Sequence, residues 1–353
     1  MCVNKHLRIV GLAILALAVT LSLSTCETGS ALRDHTYPVL FTKHPLPVWE
    51  GHLLAGDPSV IRDGDRLLMY YTDLVIGGDG DGDNPDNLRV LIGVAESVDG
   101  LSWSFANPDS AQSVALANNP DSWDRVLETA FVLPVNETTY YLYYTGYPEG
   151  ADGVERIVSQ GEIGVAQSSD GITFERFLDP NEPVLATGSS FDRDGLFSPS
   201  IVRHDDTWYM VYAGWSLESH GYGLFGATSA DGLDWTKDGT LLIHSDDVEW
   251  SLDNPREAEL VAGPDGTFYL FFTADIADNL SGIGLARSDY PFGPWEVYQE
   301  PVIFQTHVWE ESGLIAPAVL IEDGTIRVWY MAEEDNFSRF YIGYAELDYP
   351  FVW

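Results

Sequence analysis

Basic residues are scarce in this chain. Its 353 residues hold 17 Lys plus Arg against 55 Asp plus Glu, a formal net charge of −38. Only three lysines occur: Lys5, Lys43 and Lys237. Affinity for nucleic acid comes from Lys and Arg displacing counterions, so a nucleic-acid partner is excluded, and so is a polybasic grip on anionic lipid. Cysteine is scarcer still. Cys2 and Cys26 are the only two, which leaves the body of the chain without a disulfide or thiol chemistry. Helical periodicity of useful length is missing after residue 30. Apolar residues, by contrast, make up 45% of the chain and aromatics 13%, enough to bury a sizeable core.

The N-terminal segment reads as a targeting signal. Lys5 and Arg8 precede an apolar run from Ile9 to Leu23, and Leu23-Ser24-Thr25 leads into Cys26, which resembles a bacterial lipobox. Residues 1–25 are therefore expected to be a lipoprotein-type signal peptide, Cys26 a lipidation site, 26–37 a tether and 38–353 a single domain. The protein is expected to be exported, and either lipid-anchored at the cell envelope or secreted. Its only contact with a membrane would then be that anchor.

From residue 38 onward the sequence repeats five times. The first copy has Asp57-Pro58-Ser59-Val60-Ile61, a turn at Asp63-Gly64 and the apolar-aromatic run Leu67 to Thr72. It closes with Ile92-Gly93-Val94-Ala95-Glu96-Ser97, the turn Asp99-Gly100 and Trp103. Short β-branched or aromatic runs bounded by Gly, Asp and Asn signal antiparallel strands joined by tight turns. The pattern returns at Tyr140 to Gly171, Trp208 to Gly232, Thr267 to Trp295 and Arg327 to Trp353. An aromatic followed by a polar residue also recurs in phase: Trp49-Glu50, Trp123-Asp124, Phe191-Asp192, Trp250-Ser251 and Trp309-Glu310. A small sheet buries both faces only against its neighbours, so the expected fold is all-β: a five-bladed β-propeller with four antiparallel strands per blade. The last repeat is expected to complete blade five at Trp353, and a monomer is expected.

Propeller pockets lie on the axis, where the first strands of the blades converge. Aligning those strands gives one column of Asp57, Glu128, Ser198, Glu257 and Ala316. Three of these five are acidic, which makes Asp57, Glu128 and Glu257 candidate catalytic residues. Trp49, Trp123, Trp250 and Trp309 recur at similar offsets, which favours a structural role. Trp123 and Trp215 are nevertheless carried as candidate sugar-stacking platforms.

The five repeats, the segment Gly56-Asp57-Pro58-Ser59-Val60 and the texture Ile92-Gly93-Val94-Ala95-Glu96-Ser97-Val98-Asp99-Gly100-Leu101-Ser102-Trp103 resemble the five-bladed propeller glycoside hydrolases. The likeness is to family 43 above all, with relatives in families 32, 68 and 130, and it runs over residues 38–353. It implies a general base on blade one, matched by Asp57, and an acid-tuning carboxylate on blade two, matched in position by Glu128. On blade three the match ends, because Phe197-Ser198-Pro199 stands where a general-acid Glu is implied.

Elementary geometry offers a replacement acid. Inverting hydrolysis needs carboxyls about 6.5 to 9.5 Å apart, and retention about 5 to 5.5 Å. Blades one and four, like blades one and three, are second neighbours on a five-membered ring. Glu257 is therefore expected to serve as acid opposite Asp57, with Glu128 holding the sugar or raising an acid's pKa. Asp194 is the other acid candidate, while Ser198 and Arg256 are candidate substrate contacts. No organic cofactor is required. A structural Ca2+ stays open through the loop Asp79-Gly80-Asp81-Gly82-Asp83-Asn84, read as a solvated acidic loop, and the resemblance implies His307 as a channel-cation ligand. The expected function is hydrolysis of glycosidic bonds in poly- or oligosaccharides. The alternative is a non-catalytic carbohydrate-binding lipoprotein, and phosphorolysis is disfavoured by the shortage of Arg and Lys.

Overall fold

The computed structural model describes residues 37–76, 88–110, 112–119, 122–148, 160–178, 182–218, 221–276, 280–334 and 339–353. Of the sequence expectations, the signal peptide, Cys26, the tether to residue 36 and the acidic loop Asp79 to Asn84 lie outside these residues.

The chain is a five-bladed β-propeller. Its inner strands are Ala55–Asp63, Val126–Asn136, Gly195–His204, Arg256–Ala262 and Gly313–Glu322. Each packs against the inner strand of the next blade, and the fifth returns to the first, closing the ring. The second strands are Arg66–Ile76, Thr139–Tyr147, Thr207–Ser216, Phe268–Ile276 and Thr325–Glu334. They read as nearly continuous apolar runs because neighbouring blades cover both of their faces. Blades three, four and five have four strands each, and blade one adds a short fifth, Val114–Leu116. Blade two has three strands, with the isolated bridges Gln167 to Glu175 and Ile163 to Leu185 on its outer side.

One expectation is corrected at the seam. The terminal segment to Trp353 does not complete blade five. Its outermost strand is Thr42–Lys43, from the other end of the domain, paired with Arg339–Asp348. The ring is thus sealed by strand pairing between distant parts of the chain.

Two repeated devices hold the blades. In the first, a Ser-x-Asp-Gly turn satisfies its own backbone. Ser97 Oγ accepts the Gly100 N–H at 2.8 Å, while Asp99 Oδ1 accepts those of Leu101 and Ser102. Gly100 has φ +79°, which a side chain would strain. The turn then caps the preceding blade: Gly100 O accepts Trp329 Nε1 at 2.9 Å, Gly171 O accepts Tyr70 OH at 2.6 Å and Gly232 O accepts Tyr143 OH at 2.7 Å.

The second device is the aromatic-acid pair. Asp124, Asp192 and Glu310 are fully buried. Tyr144, Tyr212 and Tyr330 donate to them at 2.9, 3.2 and 2.8 Å. Arg176 at 2.5 Å, Lys237, and Lys43 at 2.6 Å supply the countercharges. Blade four has Ser251 instead of the acid and Phe272 instead of the tyrosine, so acid and hydroxyl are lost together. The tryptophans stack on the same rings, Trp123 on Tyr144 at 9° between planes and Trp309 on Tyr330 at 7°. Trp123 is therefore seated inside blade two rather than presented to a sugar.

Removing one partner of a buried pair leaves an uncompensated charge. Lys43→Met and Lys237→Met are expected to cost about 3–5 kcal/mol each in urea unfolding. Arg193→Ala, which breaks an exposed pair with Glu218, should stay within about 0.5 kcal/mol. Equal losses in all three variants would refute the anchoring role.

Candidate active site

Each inner strand carries a one-residue irregularity near its start, where the register with the second strand slips. At each slip one non-glycine residue has a left-handed backbone: Asp57 (φ 47°), Thr129 (48°), Ser198 (51°), Glu257 (43°) and Ala316 (49°). Such conformations are unfavourable for residues with a Cβ, and most of all for a β-branched one. A bulge of this kind re-aims a side chain, and here all five residues line the same axial cavity. Three of their N–H groups are held from the preceding blade. Thr129 N donates to Thr72 Oγ1 at 3.1 Å, Ser198 N to Thr145 Oγ1 at 3.2 Å and Ala316 N to Thr273 Oγ1 at 3.0 Å.

This geometry corrects the sequence column. The blade-two member is Thr129, and Glu128 stands one residue earlier, equivalent to Gly56, Phe197, Arg256 and Ile315. Glu128 still joins the cluster, since its charge interacts with those of Asp57 and Glu257. The structure therefore brings together Asp57, Glu128 and Glu257, with Ser198 and Arg256 beside them.

The electrostatics follow from burial. Asp57 is 6% exposed, and desolvation pushes its pKa up to about 6. The Thr72 hydroxyl, donating to Oδ2 at 2.8 Å, limits that rise. Glu257 is 2% exposed and is pushed up to about 8, chiefly by burial and further by Asp57, while adjacent Arg256 opposes the shift. Glu128 is held well above the usual carboxylate range by burial and then by Asp57, with the Tyr147 hydroxyl opposing. Among the described residues, Asp57 Oδ1, both oxygens of Glu128, both of Glu257 and Ser198 Oγ are buried without a hydrogen-bond partner.

Sequence reasoning missed most of a second set of residues, of which only Trp215 was among its candidates. Two positions after the threonine column of the second strands stand Leu74, Tyr147, Trp215, Asp275 and Glu333. Asp275 accepts Arg256 Nη2 at 2.8 Å, and Glu333, buried, feels the charges of Glu257, Arg256 and Asp57. Aligning the second strands as well as the first would have found them. Trp215 lies against the Tyr222 ring at 4.2 Å between centroids, and Tyr222 in turn lies under Arg256.

The remaining candidates sit elsewhere. Asp194 Oδ2 accepts the Leu217 N–H at 2.8 Å and fixes a loop of blade three. His307 stacks on Trp309, and its charged neighbours are Glu310, Lys43 and His44 rather than the axial acids. The Lys43 charge beside it disfavours a cation there. Among the described residues no group of three or more His, Cys, Asp or Glu is arranged to hold a metal ion.

Comparison with known proteins agrees with this architecture. The model of glycosyl hydrolases family 43 matches residues 47–332. A beta-1,2-mannobiose phosphorylase of Thermoanaerobacter sp. (strain X514) is 29% identical over 195 residues, 53% of this chain and 56% of that protein. A 1,2-beta-oligomannan phosphorylase of the same strain is 26% identical over 53% of this chain and 59% of its own length. The match thus spans little more than half the length of these curated relatives. Among solved structures, the endo-arabinase from Bacteroides thetaiotaomicron superposes with a TM-score of 0.58, at 16% identity, over 83% of this chain and 96% of that one. That likeness concerns the fold.

A carboxyl whose folded pKa is raised supports the fold fully below its unfolded value and loses that support as pH rises through the folded value. For Glu257 the window runs from its ordinary 4.5 to about 8. Glu257→Gln is therefore expected to be more stable than wild type at pH 8 by on the order of 1–3 kcal/mol, and nearly equal to it at pH 4. Unfolding midpoints at the two pH values decide this, and a variant no more stable at pH 8 would show that Glu257 ionises without penalty.

Proposed function

Because the chain belongs to glycosyl hydrolases family 43, we propose that it hydrolyses glycosidic bonds of poly- or oligosaccharides by inversion, with Asp57 as general base and Glu257 as general acid. The observation that carries this reading is the separation of the two pKa values. Near pH 7 Asp57 is ionised and Glu257 keeps its proton. Asp57 takes a proton from the attacking water as its oxygen closes on the anomeric carbon, and Glu257 gives its own to the departing glycosidic oxygen. Water adds and one C–O bond breaks, so the atoms balance. Glu128, with both oxygens unpartnered, accepts hydrogen bonds from sugar hydroxyls, and the free Ser198 Oγ does the same or donates.

Phosphorolysis, which the curated relatives' names describe, is the less favoured reaction for this chain. An incoming phosphate dianion would meet the ionised Asp57, while the nearby Arg256 is already bonded to Asp275. The blade-three Ser198 favours one other reading, carbohydrate binding without turnover. Cys26 is proposed to carry a lipid that holds the domain at the cell envelope.

β-1,2-Mannosides and arabinan, named for the relatives above, are the first substrates to test. Wild type is expected to hydrolyse a glycan without phosphate, releasing product of inverted anomeric configuration. Asp57→Asn and Glu257→Gln should lower kcat by about 10²–10⁴ while ligand still binds. The profile of kcat/KM should rise near pH 6 and fall near pH 8. Binding without any turnover in wild type would transfer the case to the lectin-like reading, and strict dependence on phosphate would overturn hydrolysis.

A further inference from the structure

Arg256 precedes the general acid in the chain, yet the two side chains are not bonded to each other. Arg256 Nη2 donates to Asp275 Oδ1 at 2.8 Å, and its guanidinium carbon lies 5.8 Å from the centroid of the Tyr222 ring. Trp215 backs that ring at 4.2 Å between centroids. Both oxygens of Glu257 stay buried without a hydrogen-bond partner, and so does Arg256 Nε. A cation and a carboxyl on consecutive residues are thus kept from pairing.

An arginine holds its charge at every working pH. With its side chain only 8% exposed, that charge needs an anion. Its field reaches two, Asp275 and Glu257. Pairing with Glu257 would draw the proton off the carboxyl that has to donate it. Asp275, on the second strand of the same blade, takes the cation instead, and its 26% exposed side chain lets water share in solvating the pair. The other titratable groups facing Glu257 are Asp57 of blade one, Glu128 of blade two, Tyr222 of blade three and Glu333 of blade five. None of these is a cation. Among the described residues, Arg256 is therefore the group able to strip the acid of its proton, and Asp275 is the group that restrains it. Resting on the glycosidase reading above, we propose that Asp275 is a positioning residue for the general acid. By holding Arg256 it leaves the proton on Glu257, and it thereby sets the upper pH limit of the reaction.

The test uses the full domain and reads the pH profile of kcat/KM on a glycan it hydrolyses. Asp275→Asn, which keeps the shape and removes the charge, is expected to move the upper limb down by about one pH unit or more, with the lower limb in place. Arg256→Met should move the upper limb the opposite way, above its wild-type position near pH 8. In the Arg256→Met background, Asp275→Asn should shift the limb much less, because its action runs through the cation. A second readout needs no turnover: the stability that Glu257→Gln adds at pH 8 should shrink when Asp275→Asn is also present. An upper limb that stays put in both single variants, or moves the same way in both, overturns the proposal, as does an undiminished gain from Glu257→Gln. Should Asp275→Asn fail to fold, Arg256→Met decides, and an upper limb no higher than that of wild type is the overturning result. If no glycan is hydrolysed, the glycosidase reading falls, and the stability readout alone decides whether Asp275 restrains Arg256.

Discussion

A single backbone constraint organises the molecule: one residue per inner strand held in the left-handed region. Left to itself, a residue such as Thr129 avoids that conformation at a cost of about 1–2 kcal/mol. At three of the five bulges the strain is held from outside, where a threonine hydroxyl of one blade accepts the N–H of the next. Position around the axis thus depends on ring closure, and ring closure depends on the strand Thr42–Lys43. Where the threonine is replaced, by Ala213 and by Met331, the following bulge residues are Glu257 and Asp57. The two proposed catalytic positions are the ones whose N–H lacks this hydroxyl.

Anchoring and chemistry use carboxylates in opposite ways. Asp124, Asp192 and Glu310 are buried with a cation and a phenol each, so their charge is compensated within the blade. Asp57, Glu128 and Glu257 are buried without such compensation, and their proton affinities rise accordingly. One chain therefore distinguishes structural from reactive acids by the company each keeps, although both kinds recur with the repeat. Arg256 is the intermediate case, shared between Asp275 and the field of Glu257.

Much of this was legible in the residues alone. The phase of Asp-Gly turns and aromatic-acid pairs dictated five blades, because each motif closes a local hydrogen-bond circuit that the structure repeats. Asp57 and Glu257 were found by alignment on the inner strands. Glu128 was placed one residue out of register, since a bulge is defined by φ and by pairing with a partner strand, neither of which composition reveals. Glu333 and Asp275 were overlooked because they follow apolar runs and look like ordinary strand ends. Pairings such as Lys43 with Glu310, 267 residues apart, leave no trace in local pattern.

The lysine shortage has one more chemical outcome. Lys43 and Lys237 are the only lysines among the described residues, and their side chains are 7% and 16% exposed and committed to Glu310 and Asp192. Aldehyde groups at the reducing ends of sugars condense with accessible, uncharged amines. Among the described residues the blade surface therefore offers a reducing sugar no free lysine amine at which to begin glycation.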